Sequence, residues 1–366
     1  MRRINVLMIG PQPPNVGGVA SYIASLTDVL EKEYETKITH IEPYILLKKG
    51  PQGLAIKISR MVHNLFLVTY YCFKNKQIVA HIHSSSQFSF IENSIYIILI
   101  KLFPSKVVLH LHAPDFDEFI CKQGILKYIM TRIFERSDIV IVLANHWKEL
   151  LIAQLNVPER KIRVIPNAAS SDAFRHCDTI YCRDKLGLPK DKMIIFSFGN
   201  LIERKGFQYL IESIYILNKG GEDLRCYIGG SGEFKEKLIS LVENFNLSEY
   251  VKLLGYIPKE EVLLWINSAD LVVLPSLAEG MPIMMFEVLN CGKALIGTRI
   301  AGISEVITSE DYGYLAEPGN SHDLAMKIKM GLYREWDYAR ILEYAKGFNF
   351  NTIGLKVRCI YEELTV

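Results

Sequence analysis

The sequence lacks the features that mark several large classes of protein. Its formal net charge is only +2 over 366 residues, which gives no case for a nucleic-acid partner. Its seven cysteines are scattered without a Cys-x-x-Cys pair, which argues for a reducing compartment and against a disulfide framework or a zinc ribbon. No apolar run reaches membrane-spanning length, since even Ile91–Phe103 is short and carries Glu92 and Lys101.

A small-residue cleavage site is also missing near the first residues. Met1-Arg2-Arg3 leads directly into the short apolar run Ile4–Gly10, so we predict no signal peptide. We expect a cytoplasmic protein that is either soluble or peripheral at the cytoplasmic face of the membrane. Hydrophobic residues make up 49% of the chain, and its length suffices for two domains with separate cores.

The most informative stretch is Ser276–Gly292. It follows the apolar segment Ala269–Pro275, which is typical of a buried parallel strand, and it leads into a predicted helix over Met284–Asn290. Glu279 lies in the intervening loop and Glu287 lies on the helix. Ligands bind at the carboxyl edge of an open parallel sheet. Two ionised carboxylates there would accept hydrogen bonds from sugar or ribose hydroxyls.

The spacing of the two glutamates within Glu-Gly-Met-Pro-Ile-Met-Met-Phe-Glu resembles the paired-glutamate motif of retaining GT-B glycosyltransferases of family 4. The resemblance implies that Glu287 holds the nucleotide ribose and that Glu279 meets the transferred sugar. It also implies a donor site formed by the motif itself. The donor-binding residues expected here are Glu279, Gly280, Met281, Pro282, Ile283 and Glu287.

Strand-like and helical patterns alternate in two consecutive series of similar length. We predict an α/β fold of the GT-B kind, with two Rossmann-like domains facing each other across a cleft. An acceptor-binding domain is expected over 1–168, a linker over 169–192 and a nucleotide-sugar-binding domain over 193–348. The final helix, Phe350–Leu364, is expected to cross back onto the first domain within residues 349–366.

Adjacent cations follow the first predicted strand of the second domain. Arg204 and Lys205 lie at a strand-to-helix junction, where a fork donor and a point charge suit a diphosphate. An exposed loop pair is the alternative. The family pattern is Gly-Arg-Leu, three variable residues and Lys-Gly. This chain matches it at Arg204-Lys205-Gly206 and departs from it at Asn200.

Glycine-rich turns accompany both series. Gly17-Gly18 precede a predicted helix, where backbone N–H groups can approach an anion, although an ordinary turn is the alternative. Members of the family carry a similar sequence near the donor diphosphate. Gly230-Ser231-Gly232 resembles the family's turn near the nucleotide, and Tyr256-Ile257 is expected to line the base pocket. The full Gly-x-Gly-x-x-Gly fingerprint of dehydrogenases is absent.

Two predicted strands end in paired histidines, His81-Ile82-His83 and His110-Leu111-His112, whose side chains share a face. Four histidines could indicate zinc, but we favour a polar edge with one functional imidazole. The resemblance implies that His112 faces the sugar, although Ala113 replaces the family's glycine. Asp115-Phe116-Asp117 matches a metal motif of another glycosyltransferase fold, and we interpret it as an acceptor-side loop with helix-start acids. We therefore expect no metal or other cofactor.

Taken with its resemblance, the sequence predicts a retaining hexosyl- or N-acetylhexosaminyl-transferase that uses a nucleotide-diphosphate sugar. A UDP-sugar is favoured over a GDP-sugar, and the acceptor is a glycan or a lipid-linked glycan in cell-surface polysaccharide synthesis. The expected catalytic residues are His112, Arg204, Lys205 and Glu279. A non-catalytic nucleotide-sugar-binding subunit and a glycoside hydrolase with paired carboxylates are the alternatives. The basic, apolar helix predicted over Leu54–Phe73 is either packed on the sheet or laid on the inner membrane face.

Overall fold

The chain divides into two compact units in a computed structural model. The model describes residues 3–13, 18–43, 51–75, 77–85, 88–113, 116–121, 124–170 and 173–365. One unit comprises Met1–Ala168 together with Phe350–Val366, and the other comprises Ala169–Asn349. Within the described residues, each unit contains one six-stranded sheet whose neighbouring strands are all parallel.

The first unit alternates strands and helices from its start. Its strands are β1 Asn5–Ile9, β2 Lys37–Ile41, β3 Val79–Ser84, β4 Lys106–Leu111, β5 Ile139–Val142 and β6 Ile162–Val164. Its helices are α1 Gly18–Glu33, α2 Pro51–Lys74, α3 Phe88–Ile100, α4 Phe116–Ile120, α5 Ile125–Arg136, α6 Asn145–Leu155 and the final helix Phe350–Thr365. The strand order is β2-β1-β3-β4-β5-β6. Every residue of β3 and β5 is buried, and so is every residue but the first of β1 and β4, as expected for strands covered on both faces.

The second unit also alternates strands and helices. Its strands are β7 Met193–Phe198, β8 Leu224–Gly229, β9 Val251–Gly255, β10 Leu271–Leu274, β11 Leu295–Thr298 and β12 Gly313–Ala316. Its helices are α7 Thr179–Leu186, α8 Phe207–Lys219, α9 Lys235–Asn244, α10 Lys259–Ser268, α11 Ile283–Asn290, α12 Ser321–Leu332 and α13 Tyr338–Ala345. The final helix, Phe350–Thr365, is therefore α14. The strand order is β12-β11-β10-β7-β8-β9.

This strand order creates a topological switch point in the second unit. From β7 the chain moves outward to β8 and β9, then returns to β10 on the other side of β7 and moves outward again. The loops that follow β7 and β10 therefore leave neighbouring strands in opposite lateral directions. In open α/β sheets this is the position at which a ligand crevice opens.

The predicted fold class is confirmed, including the return of the final helix. Helix α14 packs against α1, and Gly354 permits the approach, because a Cβ atom there would lie 2.8 Å from Val29 Cγ1. Tyr361 and Arg358 of α14 are buried in the first unit. Arg358 Nη1 donates a 3.2 Å hydrogen bond to Thr36 Oγ1.

The predicted linker over 169–192 requires correction. Its residues belong to the second unit, where they include α7, and α7 packs on α10. Buried Arg183 of α7 donates 2.8 Å from Nη2 to Asp270 Oδ2 and 2.9 Å from Nε to the carbonyl of Ser268. A charged anchor of this kind holds the segment on the unit, so its polar composition reflects specific pairing instead of a free connection.

Across the described ranges, no helix combines the length and the hydropathy that crossing a bilayer requires.

Candidate functional site

Two loops meet at the switch point of the second unit, and Gly206 sets how closely they approach. Gly206 has a φ of +71°, and a Cβ atom added there would lie 1.8 Å from the carbonyl oxygen of Pro275. The backbone N–H of Leu277 donates a 2.8 Å hydrogen bond to the carbonyl of Arg204. The loop after β7 is therefore clamped to the loop after β10 at a position where only glycine fits.

The clamp places both predicted cations on the first predicted glutamate. Lys205 Nζ lies 2.5 Å from Glu279 Oε1, and Arg204 Nη1 lies 3.4 Å from Glu279 Oε2. Arg204 Nη1 also donates to the carbonyl of Ala278. Glu279 is only 8% exposed, whereas the Arg204 side chain remains one-third exposed. The structure therefore brings together three of the residues that the sequence singled out.

Two hydroxyl residues that sequence reasoning missed complete this cluster. Ser276 Oγ donates a 2.8 Å hydrogen bond to Glu279 Oε1, and Thr298 Oγ1 donates to the carbonyl of Ser276 at 2.5 Å. Both residues are buried. Ser276 follows β10 and Thr298 ends β11. A polar residue just beyond an apolar parallel strand is the signal that could have identified them, because such positions share the carboxyl edge of the sheet.

Glu287 lies on α11 in a different environment from Glu279. Burial raises the pKa of its carboxyl to about 7, and the positive charge of Lys259 partly opposes this rise. The residue is half-buried, and its neighbours Phe286 and Val288 are fully buried. A carboxyl group in this position can accept hydrogen bonds from the donors of a ligand.

The residues between the two glutamates form a tight turn into α11. Pro282 has a φ of −65° at the residue that caps α11, and Ile283 is the first helical residue. A Cβ atom on Gly302, which has a φ of +80°, would lie 1.9 Å from the carbonyl oxygen of Gly280. Met281 is buried. The turn is thus held from one side by the chain that follows β11.

The glycine turn after β8 also lies at this edge. The backbone N–H of Gly230 donates a 2.7 Å hydrogen bond to the carbonyl of Gly255, and a Cβ atom on Gly230 would lie 1.8 Å from the carbonyl oxygen of Gly199. Tyr256 is 73% exposed, and the half-buried Ile257 packs against Gly229. The ends of β7, β8 and β9 are therefore tied together by their main chains.

In the first unit, four buried histidines occupy one face of the sheet, as their spacing predicted. They are His81, His83, His110 and His112. His83 Nδ1 lies 2.9 Å from His112 Nε2, and His81 Nε2 lies 3.2 Å from His110 Nδ1. Burial lowers the pKa of His81 and of His112 to about 3, and it lowers the pKa values of His83 and His110 well below the usual range of histidine. All four rings are therefore neutral near pH 7, with one donor and one acceptor nitrogen each.

Neutrality allows the tautomer of His112 to be assigned. His83 Nε2 lies 3.1 Å from the thioether sulfur of Met8. This sulfur has no hydrogen to donate, so it can only accept a hydrogen bond. His83 therefore carries its proton on Nε2, and its Nδ1 accepts from His112 Nε2. This leaves His112 Nδ1 as an acceptor, the form that can receive a hydrogen bond from a hydroxyl.

The other pair of histidines is tied to the final helix. Tyr361 on α14 places its hydroxyl 2.5 Å from His81 Nδ1, while buried His110 Nε2 has no hydrogen-bond partner among the residues that the structure describes. Ligand atoms of His81, His83 and His110 lie within 4.8 Å of one another, a separation from which a metal could be held. Both ring nitrogens of His81 and of His83 are already engaged in contacts, so binding a metal would break them. The expectation that no metal is needed stays a prediction.

Of the remaining predicted residues, some lie in the described structure and others lie outside it. Gly18 is the first residue of α1, whereas Gly17 and Asp115 lie outside the described residues. Asp117 lies in the first turn of α4 and accepts 2.8 Å hydrogen bonds from His146 Nε2 and Trp147 Nε1. These bonds connect the start of α4 to α6. The roles assigned to Gly18 and His112 stay predictions.

Two family profiles match the chain. The profile described as "Glycosyl transferases group 1" matches residues 181–348, and that of "Glycosyltransferase Family 4" matches residues 16–172. The amylovoran biosynthesis glycosyltransferase AmsK of Erwinia amylovora is 29% identical over 62% of this chain and 55% of its own length. The matched part thus spans about half of that relative. An uncharacterized glycosyltransferase of Methanocaldococcus jannaschii is 25% identical over 99% of both chains.

Solved structures agree on the fold. Sucrose-phosphate synthase from Thermosynechococcus elongatus superposes with a TM-score of 0.81 at 19% identity, covering 99% of each chain. Anabaena HepE in complex with UDP superposes with a TM-score of 0.76 at 17% identity, covering 98% of this chain and all of the other. Together with the two profiles, which match most of the sequence, these likenesses show that the chain belongs to the group 1, family 4 glycosyltransferases, with the GT-B fold.

Proposed function

We propose that the chain transfers a hexosyl or N-acetylhexosaminyl group from a nucleotide-diphosphate sugar to a hydroxyl of a glycan or a lipid-linked glycan. The observation that carries the proposal is the meeting of Arg204, Lys205 and Glu279 at the switch point of the second unit. A site for a diphosphate next to a sugar needs both cations and a hydroxyl acceptor. Arg204 and Lys205 supply the cations and Glu279 supplies the acceptor. Both cations lie within hydrogen-bond distance of the Glu279 carboxylate.

The paired state of Glu279 has a mechanistic consequence. Without a donor, the single carboxylate of Glu279 offsets part of the charge of Lys205 and Arg204 in a largely buried position. A diphosphate carries more negative charge than one carboxylate, and it would draw the two cations toward its own oxygens. Glu279 would then exchange cation donors for the hydroxyls of the sugar. The buried carboxylate thus keeps the cations ordered until the donor arrives.

The same cations stabilise the leaving group. In the proposed reaction, the bond between the anomeric carbon and the diphosphate oxygen breaks, and its electron pair leaves with the diphosphate. The acceptor oxygen bonds to the anomeric carbon from the same face, and its proton passes to the departing diphosphate oxygen. Lys205 and Arg204 bind the charge as it develops, which is the contribution expected of preorganised cations. Retention of configuration rests on the family resemblance.

Glu287 is proposed to accept hydrogen bonds from the ribose. Its carboxyl sits at a position where burial disfavours the ionised form. Two ribose hydroxyls are donors that would repay this cost. A uridine nucleotide is the favoured base, with guanosine as the second choice. Support comes from HepE, which has the same fold and whose structures contain UDP and UDP-glucose.

The place of this reaction in biosynthesis is proposed from relatives. AmsK is named for amylovoran biosynthesis, and the similar WcaL of Escherichia coli for colanic acid biosynthesis. WcaL is 24% identical over 51% of its length. Both names point to polysaccharides, so we propose a growing or lipid-linked glycan as the acceptor.

A thermal-shift screen tests the donor site directly. The purified chain is heated with UDP, GDP, ADP or CMP, each with and without EDTA. A ligand that binds only the native state stabilises it by about 3 kcal/mol at one hundred times its Kd. We expect one nucleoside diphosphate, UDP first, to raise the melting temperature equally with and without EDTA.

The variant Lys205→Ala should lose most of that shift, because it removes one of two cations from the diphosphate. Lys219→Ala is the matched control, since Lys219 is an exposed lysine at the far end of α8. Stabilisation by none of the nucleotides would refute the donor site. An equal shift in Lys205→Ala and in the control would remove Lys205 from it.

A further inference from the structure

One layer of helices in the first unit lies on a single side of its sheet. The connections from β2 to β3, from β3 to β4 and from β4 to β5 all cross the sheet in the same direction. Since such crossovers are right-handed, they place α2, α3 and α5 on one side, whereas the reversed connection through α1 lies on the other. Helix α3 contacts both α2 and α5. We call the outward surface of these three helices the outer helical face.

Helix α2 has apolar side chains on its exposed side as well as on its buried side. Asn64, Val68 and Cys72 follow one another at four-residue intervals and are buried toward the sheet. On the opposite side, Phe66 is 68% exposed and Phe73 is 83% exposed. A helix that covers a globular sheet is normally polar on its outer side. Exposed aromatic side chains of this size therefore need an explanation outside the unit.

The neighbouring helices continue this pattern. Ile91, Ile95 and Ile98 are exposed on α3 at spacings of four and three residues, which places them on one stripe. Ile125 and Tyr128 are exposed on α5 at a spacing of three. Outward apolar stripes on three adjacent helices form a patch of the kind that marks a docking surface.

The charge around the outer helical face is positive. The sequence of α2 contains no aspartate or glutamate and includes Arg60 and Lys74. Helices α3 and α5 together carry three cations, Lys127, Arg132 and Arg136, against two acids, Glu92 and Glu135. Lys74 Nζ lies 5.6 Å from the centre of the Tyr70 ring, so its stem lies along an exposed aromatic side chain. Arg132 stacks similarly over Tyr128 at 5.2 Å. Cations that lie along aromatic rings at the edge of an apolar surface match the interface of an anionic bilayer.

We propose that the outer helical face docks on an anionic lipid surface. Phe66, Phe73 and the isoleucines of α3 would enter the headgroup region, and the lysine and arginine side chains would meet lipid phosphates. The charge argues against a second copy of the chain as the occupant, because two positive faces would repel each other. The inference is independent of the proposed donor site, which lies in the second unit.

Vesicle cosedimentation tests this inference with the full chain. Vesicles of phosphatidylcholine alone are compared with vesicles that also contain phosphatidylglycerol, at low and at high salt. We expect binding to the mixed vesicles only, and weaker binding at high salt because ions screen the lysine and arginine charges. The double variant Phe66→Ser/Phe73→Ser should bind about tenfold more weakly or worse, since two aromatic side chains no longer leave water.

Two controls make the result decisive. Leu355→Ser/Met326→Ser removes exposed apolar side chains from α14 and from the second unit, and it should bind like the wild type. The thermal shift with UDP is measured on every variant, so loss of the fold or of the donor site is seen separately. Unchanged vesicle binding by Phe66→Ser/Phe73→Ser would overturn the inference. So would equal binding to neutral vesicles, or a wild-type dimer that the double variant dissociates.

Discussion

Replacing Glu287 by glutamine should make the ligand-free protein more stable while weakening its hold on a nucleotide. Burial raises the pKa of this carboxyl from 4.5 to about 7. The folded state therefore holds the proton more tightly than the unfolded state, and ionisation opposes folding. Stability contributed by the protonated group is present below about pH 4.5 and is lost as the pH rises through 7. Glutamine resembles the protonated acid in shape and cannot ionise.

The size of the effect follows from the shift. One pKa unit corresponds to about 1.4 kcal/mol, so a rise from 4.5 to about 7 costs the ionised protein up to roughly 3 kcal/mol. This is an upper bound because Glu287 is only half-buried and water reaches part of it. For a folded unit of this length, each kcal/mol moves the melting temperature by roughly 2–4 °C. At pH 8 the variant should melt at a higher temperature, by up to roughly 6–12 °C.

Nucleotide binding should change in the opposite direction. If ribose hydroxyls donate to the ionised carboxylate, then binding must release a proton, and affinity for UDP should strengthen between about pH 6 and about pH 8. The glutamine amide keeps one acceptor oxygen but presents an N–H₂ group in place of the other. Glu287→Gln should therefore lose both affinity and its pH dependence.

Differential scanning fluorimetry at several pH values measures both effects on one sample. Glu243→Gln, an exposed change on α9, is the matched control and should follow the wild type. The stability difference between Glu287→Gln and the wild type should vanish near pH 4.5. A variant that melts lower than the wild type at pH 8 would refute the burial argument. A variant with wild-type UDP affinity at all pH values would remove Glu287 from the ribose site.

Two further substitutions test the framework. Gly206→Ala should destabilise the chain far more than Gly221→Ala. Both glycines have a positive φ, so backbone strain should lower the free energy of unfolding of each variant by roughly 1–2 kcal/mol. Of these two positions, only at Gly206 would the added Cβ atom meet a backbone oxygen, at 1.8 Å. Thermal melts of the two variants compare them, and equal losses would contradict the clamp. Tyr361→Phe should cost about 1–3 kcal/mol in urea unfolding, because it leaves buried His81 Nδ1 without its 2.5 Å partner; an unchanged midpoint would show that α14 is held by packing alone.

Local patterns were sufficient to predict most of the fold. An apolar run followed by an amphipathic helix identifies each βαβ unit within a short window, so two parallel sheets and the returning helix followed from the sequence. The segment 169–192 was misassigned because its anchor is not local. Arg183 is held by Asp270, which lies 87 positions further along the chain. Polar composition alone cannot distinguish a specific ion pair from a solvated connection.

The candidate site was likewise predictable only in its local motifs, and not in the contacts between them. The two glutamates and the Arg204-Lys205 pair were visible as motifs, since each occupies a few consecutive positions. Their contact was not visible, because it depends on β10 lying next to β7, and strand order is a property of the whole sheet. Ser276 and Thr298 were missed for the same reason. Each lies at the end of a separate strand, and only sheet formation brings them to one edge.

The histidine face shows how a buried polar cluster can connect two strands and a helix. Its spacing left zinc as the less favoured alternative, and in the folded chain the ring nitrogens of His81 and His83 contact neighbouring side chains. Because the sulfur of Met8 can only accept, one apolar residue of β1 determines the proton position on His83 and therefore on His112. The predicted sugar-facing imidazole thus has its acceptor nitrogen set from within the sheet. A histidine whose ring was not held in place would lose rotational freedom each time a substrate bound, and this loss of entropy would oppose the reaction.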